Sequence, residues 1–430
     1  MFIELHFIQS FAPSVLNRDD TNNPKDTYFG GTRRLRVSSQ CFKRSMRFNP
    51  EFVNVFNETS LEDPTKLYEA QKKYIGLRSK RLALEWLKPE LVKHVSEDKA
   101  DLAEKIALAF VESLMVDSGG MDKDETQTSV LLYLHQDEVK WIADELIKLK
   151  DQWEIILLKP TTEKPAEEKP ATRRGKKPAE ASSSGNKEGK LLEKIAKSLK
   201  EQLGKRTSAP DIALFGRMLA GKTETNLDAA CQVANVISTH AVRKFDVDYF
   251  TAVDDLKKDA MGAGMVGMTP FASACFYRYM RLDWEQLKTN LRSNEKSDDD
   301  SLARKTVEGF LRAAEAATPS GKQNSFDNNA RPSFMLAVAR RGGASWSLVN
   351  AFEQAVQGNN GYVAESEKQL SAQWDRFCEI YGDKSIIASA VLLPDARLTK
   401  EKLNSPRLQQ VVKSSMDEWV QAMIAPEVLK

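Results

Sequence analysis

A basic segment near the N-terminus is the part of this sequence best suited to binding a ligand. Residues 30–47 read GGTRRLRVSSQCFKRSMR, and the interval from Thr27 to Phe48 holds six Arg or Lys residues and no Asp or Glu. The whole chain has 63 Lys and Arg against 61 Asp and Glu, which gives a net charge of only +2. Because the overall charge is balanced, only a local cluster such as this one can indicate an anionic partner.

The segment is expected to form a helix with one basic face. Ser38 and Ser39 are preferred N-cap residues and predict a helix over about residues 40–48. At about 100° per residue, the helix separates an outward face from a packing face. The outward face carries Gln40, Lys43, Arg44 and Arg47, and the packing face carries Cys41, Phe42, Ser45 and Met46.

Two further features favour an anion beside this helix. Its N-terminus contributes partial positive charge and free N–H groups near Ser38 and Ser39. Three more cations, Arg33, Arg34 and Arg36, approach from the alternating segment before it. A row of cations beside a helix N-terminus is suited to a phosphate backbone. A basic face that is merely solvated is the alternative, and the residues alone leave it open.

The other chemistry-bearing residues are scattered. Cys41, Cys231, Cys275 and Cys378 have no zinc-site spacing, and the four histidines are isolated, so we expect no metal and no cofactor. The few cysteines suggest a reducing cytoplasm. No run of about 18 apolar residues occurs, so no membrane span is expected. The first ten residues suit a strand better than a signal peptide.

The pattern along the chain predicts strands interrupted by helical and polar insertions. Residues 2–8 alternate, with Ile3, Leu5 and Phe7 on one side, and predict a first strand. Residues from about 60 to 158 have helical periodicity. Residues 160–190 contain no aromatic residue and no Val, Ile, Leu or Met, so we expect a disordered tether there.

The C-terminal half is expected to continue the sheet. After a short helix at 191–203, strands are predicted in DIALFGRMLA, AACQVANVIST, FASACFYRYM and SFMLAVAR, with a helix over 302–314 before the last of these. With the insertions removed, the order approaches the βαββαβ arrangement of ferredoxin-like and RNA-recognition folds.

Several ordered blocks resemble the CasC family. They are FAPSVLNRDD, NPKDTYFGGTRRLRVSSQCFKRSMR, PDIALFGRML, STHAVRKFDVDYFTAVDDL and FYRYMRLDWEQL. They cover most of residues 1–48 and 205–290, and the resemblance continues more weakly through GKQNSF to the C-terminus. Ala12 stands where the family has Ser, Cys41 and Phe42 replace its commoner Ser-Leu, and the tether has no counterpart. CasC is the guide-RNA-binding backbone subunit of the type I-E CRISPR Cascade complex and a member of the RAMP superfamily.

The resemblance implies an α+β fold with three parts. These are a modified ferredoxin-like or RNA-recognition palm, a large inserted helical fingers lobe and a protruding β-hairpin thumb. We place the palm at 1–58, the fingers at 59–159, the tether at 160–190, the end of the fingers with palm strands at 191–237, the thumb at 238–270, and palm and C-terminal elements at 271–430.

The resemblance also implies function and partners. Several copies would line one guide RNA (crRNA) in the cytoplasm and present it for pairing with target DNA, beside subunits of the CasA, CasB, CasD and CasE families. No catalytic activity is implied. The carried-over RNA-binding residues are Lys25, Ser38, Gln40, Lys43, Arg44, Arg47, Arg217, Met218, Lys322 and Gln323. Met218 could pack under a base or fill the core, and Asn17 and Arg18 are expected to brace their loop rather than contact RNA.

Four patterns offer competing interpretations. Gly262, Gly264 and Gly267 spell GxGxxG but follow no buried strand, so we expect a thumb loop rather than a dinucleotide site. The run FYRY at 276–279 could stack RNA bases, although cross-strand packing is favoured. His240 is expected to be structural. Asp19 or Asp20 could serve an RNA-cleaving, type III-like backbone subunit, which is the alternative function.

Overall fold

The structure is a computed structural model. It describes residues 1–56, 71, 73–116, 120–122, 126–157, 189–219, 222–251, 266–291, 300–358 and 360–430. Nearly all of the predicted tether lies outside these residues, as do Gly262 and Gly264 of the glycine-rich segment. Within the described residues, no helix is long and apolar enough to cross a membrane.

The described strands and helices follow in chain order. The strands are β1 (Phe2–Ser14), β2 (Asp26–Phe29), β3 (Thr32–Val37), β4 (Leu77–Ser79), β5 (Leu132–Leu134), β6 (Arg217–Leu219), β7 (Lys222–Leu227), β8 (Cys231–Val233), β9 (Val236–Ser238), β10 (Asp246–Thr251), β11 (Val266–Asp283), β12 (Phe334–Arg340) and β13 (Ile386–Leu392). The α-helices are α1 (Ser39–Arg47), α2 (Pro50–Asn54), α3 (Lys88–Val92), α4 (Ala100–Met115), α5 (Gln136–Ile147), α6 (Trp153–Leu157), α7 (Gly189–Leu203), α8 (Pro210–Phe215), α9 (Trp284–Leu291), α10 (Ser301–Ala316), α11 (Gln323–Phe326), α12 (Val363–Tyr381), α13 (Pro406–Gln409) and α14 (Met416–Ile424). A π-helical turn spans Leu82–Leu87, and short 3-10 turns precede α4, α6, α12 and α13.

The chain divides into two compact units. The first, the sheet unit, comprises Met1–Tyr74, Pro210–Gly216 and Ala229–Lys430, and the second, the helical unit, comprises Ile75–Ala209 and Arg217–Asp228. The predicted α+β class is therefore confirmed, with a large antiparallel sheet and many helices. The core of the helical unit is built from the apolar faces of α4, α5 and α7, including Phe110, Ile142 and Leu199. The predicted helices at 100–115, 136–147 and 191–203 are all present.

The sheet unit is organised around one antiparallel sheet in the order β13-β12-β1-β11-β9-β3-β2. The central part of this order is β12-β1-β11-β9, with α1 following β1 and α10 following β11 along the chain. The strands β8 and β10 also pair with β11, and β10 forms a hairpin with its first half.

Helices and loops cover both faces of this sheet. Phe7 of β1 lies directly opposite Arg278 of β11, and on this face the Arg278 guanidinium lies over the rings of Phe7 and Phe42, so α1 packs here. On the other face, Tyr277 belongs to an apolar cluster with Trp374 of α12. The predicted face of Ile3, Leu5 and Phe7 is confirmed as buried.

The alternate residues of β1 are also buried, but they form a polar network. Glu4 accepts hydrogen bonds from the Tyr279 hydroxyl at 2.8 Å and the Trp346 amide at 2.8 Å, and it pairs with Arg340 at 3.0 Å. His6 Nδ1 lies 2.9 Å from the Tyr277 hydroxyl oxygen. Burial lowers the pKa of His6 to about 4, so the imidazole is neutral near pH 7. Each buried polar group is thus matched to a partner across the sheet.

One strand prediction is wrong and two are confirmed. The run DIALFGRMLA was expected to be a strand, but Pro210–Phe215 is α8 and only Arg217–Leu219 is a strand. Proline is favoured in the first turn of a helix, and Gly216, with φ +78°, ends it in a conformation that suits glycine. The runs FASACFYRYM and SFMLAVAR lie in β11 and β12, and AACQVANVIST forms the short strands β8 and β9.

Candidate nucleic-acid interface

The helix α1 is built as its sequence predicts. Ser38 is the N-cap, and its hydroxyl accepts a hydrogen bond from the Cys41 amide at 3.4 Å. Phe42 is 1% exposed and Met46 is 0% exposed, so the predicted packing face lies against the sheet. Gln40 and Arg44 are exposed and Lys43 is half-buried on the opposite side.

The predicted free N–H groups at the start of α1 are occupied. The Ser38 amide donates to Asn17 Oδ1 at 3.0 Å, and the Ser39 amide donates to Asn235 Oδ1 at 3.3 Å. Two asparagine side chains therefore take the place that a phosphate would need. The expectation that Asn17 braces its loop is confirmed, since its carbonyl also accepts from the Lys25 amide at 2.8 Å.

Arg47 does not lie on an exposed basic face, and this prediction is wrong. The residue is 7% exposed, and its Nε donates to Asp211 Oδ2 at 2.7 Å. Helical periodicity aligns Arg47 with Gln40 and Arg44, but α8 brings the buried Asp211 against the last turn of α1. The charge of Arg47 is therefore used inside the sheet unit.

Arg34 and Arg33 are also used internally. Arg34 is 0% exposed, and its guanidinium donates to the carbonyls of Ser238, Thr239, Phe352 and Glu353. Burial lowers the pKa of Arg34, although the four carbonyl oxygens satisfy its donors. Arg33 forms an ion pair with Asp26.

The remaining polar and cationic residues form a smaller surface, which we call the basic face. It comprises Lys25, Arg36, Gln40, Lys43 and Arg44. Within the described part of the chain, none of its four cations has a carboxylate within 4 Å, unlike Arg33 and Arg47. Lys25 and Arg44 both lie near enough to Cys41 to oppose the increase in pKa that burial causes in its thiol. Lys43 acts in the same direction on the buried thiol of Cys231.

Lys322 and Gln323 lie in a loop that contacts the base of the β10–β11 hairpin. Lys322 Nζ donates to Thr269 Oγ1 at 2.9 Å, and the rings of Phe326 and Phe271 are 5.6 Å apart. Gly321 lies directly against the carbonyl of Leu16, and the same carbonyl faces the Cys41 thiol at 3.8 Å. The structure therefore places this loop and α1 around the same end of β1. The side-chain amide of Gln323 is buried and has no hydrogen-bond partner among the described residues.

The two candidate residues in the helical unit differ from each other. Arg217 is 4% exposed, and its guanidinium contacts both carboxylate oxygens of Glu138 at 2.9 Å and donates to the Leu203 carbonyl at 2.7 Å. Its charge is thus committed to the interior of the helical unit. Met218, the next residue, is 84% exposed, so it does not fill the core. The interpretation of Met218 as a core residue is excluded.

The run FYRY belongs to the sheet core. Tyr277 and Tyr279 are 2% and 8% exposed, and Arg278 is 1% exposed and donates to the Gln9 side-chain oxygen at 2.5 Å. The packing interpretation is confirmed, because no base can stack on these side chains beneath α12 and the loop at 345–352.

His240 and Asp19 have structural partners. The His240 ring stacks on Tyr362 with 3.7 Å between centroids, and its Nε2 accepts from the Cys275 amide at 3.2 Å. Its structural role is confirmed. Asp19 Oδ1 accepts from the amides of Thr21 and Asn23 and from the Thr21 hydroxyl, and these bonds, led by the hydroxyl, lower its pKa. Asp20 is exposed.

Sequence reasoning did not select Arg36 or Asn235. Strand alternation could have identified Arg36, because it faces away from the buried Leu35 and Val37. Nothing in the sequence marks Asn235, which pairing between β3 and β9 brings beside α1.

Comparison with known proteins identifies the family. The family model of the CT1975-like protein matches residues 3–422. The chain belongs to the CT1975-like protein family. The resemblance to a Cascade backbone subunit is therefore confirmed at the level of family and fold. A search of curated proteins found no match.

Solved structures similar to this CT1975-like chain include two subunits of RNA-guided complexes. One, described as "CRISPR RNA-guided surveillance complex, pre-nicking", has a TM-score of 0.71 and 26% sequence identity, and covers 99% of this chain and 100% of its own. The other, described as "CRISPR RNA-guided surveillance complex", has a TM-score of 0.64 and 23% identity, with 99% of both chains covered. The second likeness is one of fold alone.

Proposed function

We propose that this chain is a guide-RNA-binding backbone subunit of a CRISPR effector complex of type I-E. The observation that carries the proposal is the basic face, where four cations without acidic partners surround α1 in a chain whose net charge is +2. Unpaired, partly buried cations are costly to hold together, and a polyphosphate ligand would offset their repulsion. Family membership and the full-length likeness to a surveillance-complex subunit support the same function.

Three structural parts would then have the roles of palm, fingers and thumb. The strand order β12-β1-β11-β9, with α1 and α10 as the connecting helices, supports a ferredoxin-like palm. The helical unit would be the fingers. The β10–β11 hairpin would be the thumb, and its side chains Tyr249, Val266 and Met268 are 64–72% exposed.

The proposed subunit acts as a scaffold. Several copies line one guide RNA and leave its bases free to pair with target DNA, beside subunits of the CasA, CasB, CasD and CasE families. We propose no catalytic role, and the hydrogen bonds that hold the Asp19 carboxylate in its loop give the RNA-cleaving alternative no support. Incubation of the assembled complex with complementary RNA and a divalent metal should leave that RNA intact.

The decisive experiment measures the salt dependence of RNA binding. Replacing Lys43 and Arg44 by Ala should flatten the slope of log affinity against log salt by about 1.4 per subunit, since each contact between a cation and a phosphate of single-stranded RNA contributes about 0.7. The loss should be the same for RNAs of different sequence, because phosphates carry no base identity. Filter binding at several salt concentrations gives the slope.

A matched control removes two cations from the opposite face of the sheet. Lys368 and Arg376 of α12 are exposed and pair with acids on their own helix, so Lys368→Ala with Arg376→Ala changes the net charge equally without touching the basic face. The control should keep the wild-type slope. If Lys43→Ala with Arg44→Ala also keeps it, the basic face is only solvated surface and the proposed function loses its basis.

A further inference from the structure

Arg36 is a cation that the structure leaves available at the edge of the sheet. Its backbone amide donates to the Lys25 carbonyl at 2.8 Å, which places these two residues of the basic face side by side. Two residues earlier, Arg34 is held by four backbone carbonyls, so β3 is fixed firmly where it presents Arg36. Arg36 itself is half-buried, and among the described residues it has no carboxylate within 4 Å.

One neutral side chain orients the Arg36 guanidinium. Asn235 lies in the turn between β8 and β9, and the pairing of Val37 with Val236 places it beside the start of α1. Its Oδ1 accepts from the Arg36 Nη1 at 3.4 Å and from the Ser39 amide at 3.3 Å. A single amide oxygen therefore joins the guanidinium to the helix, and the other guanidinium N–H groups stay free for a ligand.

The choice of an amide at this position has a physical consequence. An aspartate would accept the same two hydrogen bonds, and its charge would interact favourably with the N-terminus of α1. It would also neutralise Arg36. Asparagine provides the same acceptor and leaves the charge of Arg36 uncompensated, as a phosphate site requires.

We propose that Arg36 contacts a phosphate of single-stranded RNA and that Asn235 is the positioning residue that aims it. The proposal rests on the proposed guide-RNA function and extends its site by one contact. The guanidinium can offer two parallel N–H donors to one phosphate, which a lysine cannot.

The test separates stability from binding with Asn235→Asp. This variant should melt at the wild-type temperature or above it, because the helix cap is kept. Its affinity for an oligouridylate should fall about tenfold per contact, and its salt slope should flatten by about 0.7 per subunit. Arg36→Gln should flatten the slope equally, and the combined variant should lose little more, since both changes remove the same contact.

Controls keep the outcomes distinct. Gln373→Glu makes the same amide-to-acid change on α12, on the opposite face of the sheet, and should leave affinity and slope unchanged. If Lys43→Ala with Arg44→Ala flattens the slope but Asn235→Asp and Arg36→Gln do not, this inference is wrong and the proposed function stands. If none of these variants changes the slope, the proposed function fails as well. A fall in melting temperature that accounts for the lost affinity of Asn235→Asp would make the residue structural and overturn the proposal.

Discussion

At the C-terminal end of α1, Arg47 and Asp211 form an ion pair whose side chains are 8% and 0% exposed. Each charge has left water, and each depends on the other for compensation. Asp211 lies in the first turn of α8, so the pair also joins two helices of the sheet unit. The cationic side chain thus stabilises the surface that displays its neighbours on α1.

Arg47→Ala is expected to destabilise the protein strongly. Removing one partner leaves the Asp211 carboxylate buried without compensation, which should lower the free energy of unfolding by about 3–5 kcal/mol. Urea unfolding measures the change, and Arg44→Ala, an exposed cation one turn away, should cost within about 0.5 kcal/mol. Under conditions where Arg47→Ala is folded, its salt slope for RNA should equal that of the wild type. A cost as small as that of Arg44→Ala would contradict this role.

At the scale of elements, the β2–β3 hairpin depends on how its turn meets a neighbouring segment. Gly30 and Gly31 form the turn with φ values of +57° and +71°. A Cβ at Gly30 would lie 1.6 Å from the Glu353 carbonyl oxygen, whereas a Cβ at Gly31 would meet nothing within 4 Å. The turn therefore needs Gly30 for close approach as well as for its backbone conformation.

The two glycines provide a matched pair of variants. Gly31→Ala should cost about 1–2 kcal/mol of stability from its left-handed conformation alone. Gly30→Ala should cost about 1–3 kcal/mol more, because the backbone of the 349–353 segment must move away from the hairpin. Thermal unfolding of the two variants checks the difference. Equal costs would show that the contact with Glu353 is loose.

At the scale of the whole molecule, the function proposed above requires copies to repeat along RNA. The exposed side chains of the β10–β11 hairpin, Val247, Tyr249, Val266 and Met268, are 43–72% exposed in the single chain. Exposed apolar surface of this kind is suited to a further contact. A scaffold that repeats along RNA would have no fixed copy number of its own.

The number of bound copies should therefore increase with RNA length. Light scattering after size-exclusion chromatography, on RNAs of several lengths, gives the mass of each complex. An RNA too short for two sites is the control and should bind one copy. The same copy number on every longer RNA would rule out a repeating scaffold.

The sequence alone was sufficient where structure is set by local spacing. The N-cap Ser38, the buried Phe42 and Met46, the inward side of β1 and the helix α10 all follow from periods of two or 3.6 residues. The chemistry of the basic segment was also readable, because an excess of cations needs no fold to be recognised. Local pattern was weakest at 211–220, where Pro210 and Gly216 outweighed the apolar run that suggested a strand.

Tertiary structure alone decided which cations remain available to a ligand. Arg34 and Arg36 stand two residues apart on one strand and look alike in sequence, but Arg34 is enclosed by the carbonyls of Ser238 and Phe352 while Arg36 is not. Arg47 met Asp211, 164 positions away, and Asn235 reached Ser39 only through the pairing of β3 with β9. Periodicity reports which way a side chain points from its own helix or strand. Its burial and charge partners come from segments distant in sequence, which only the folded chain brings together.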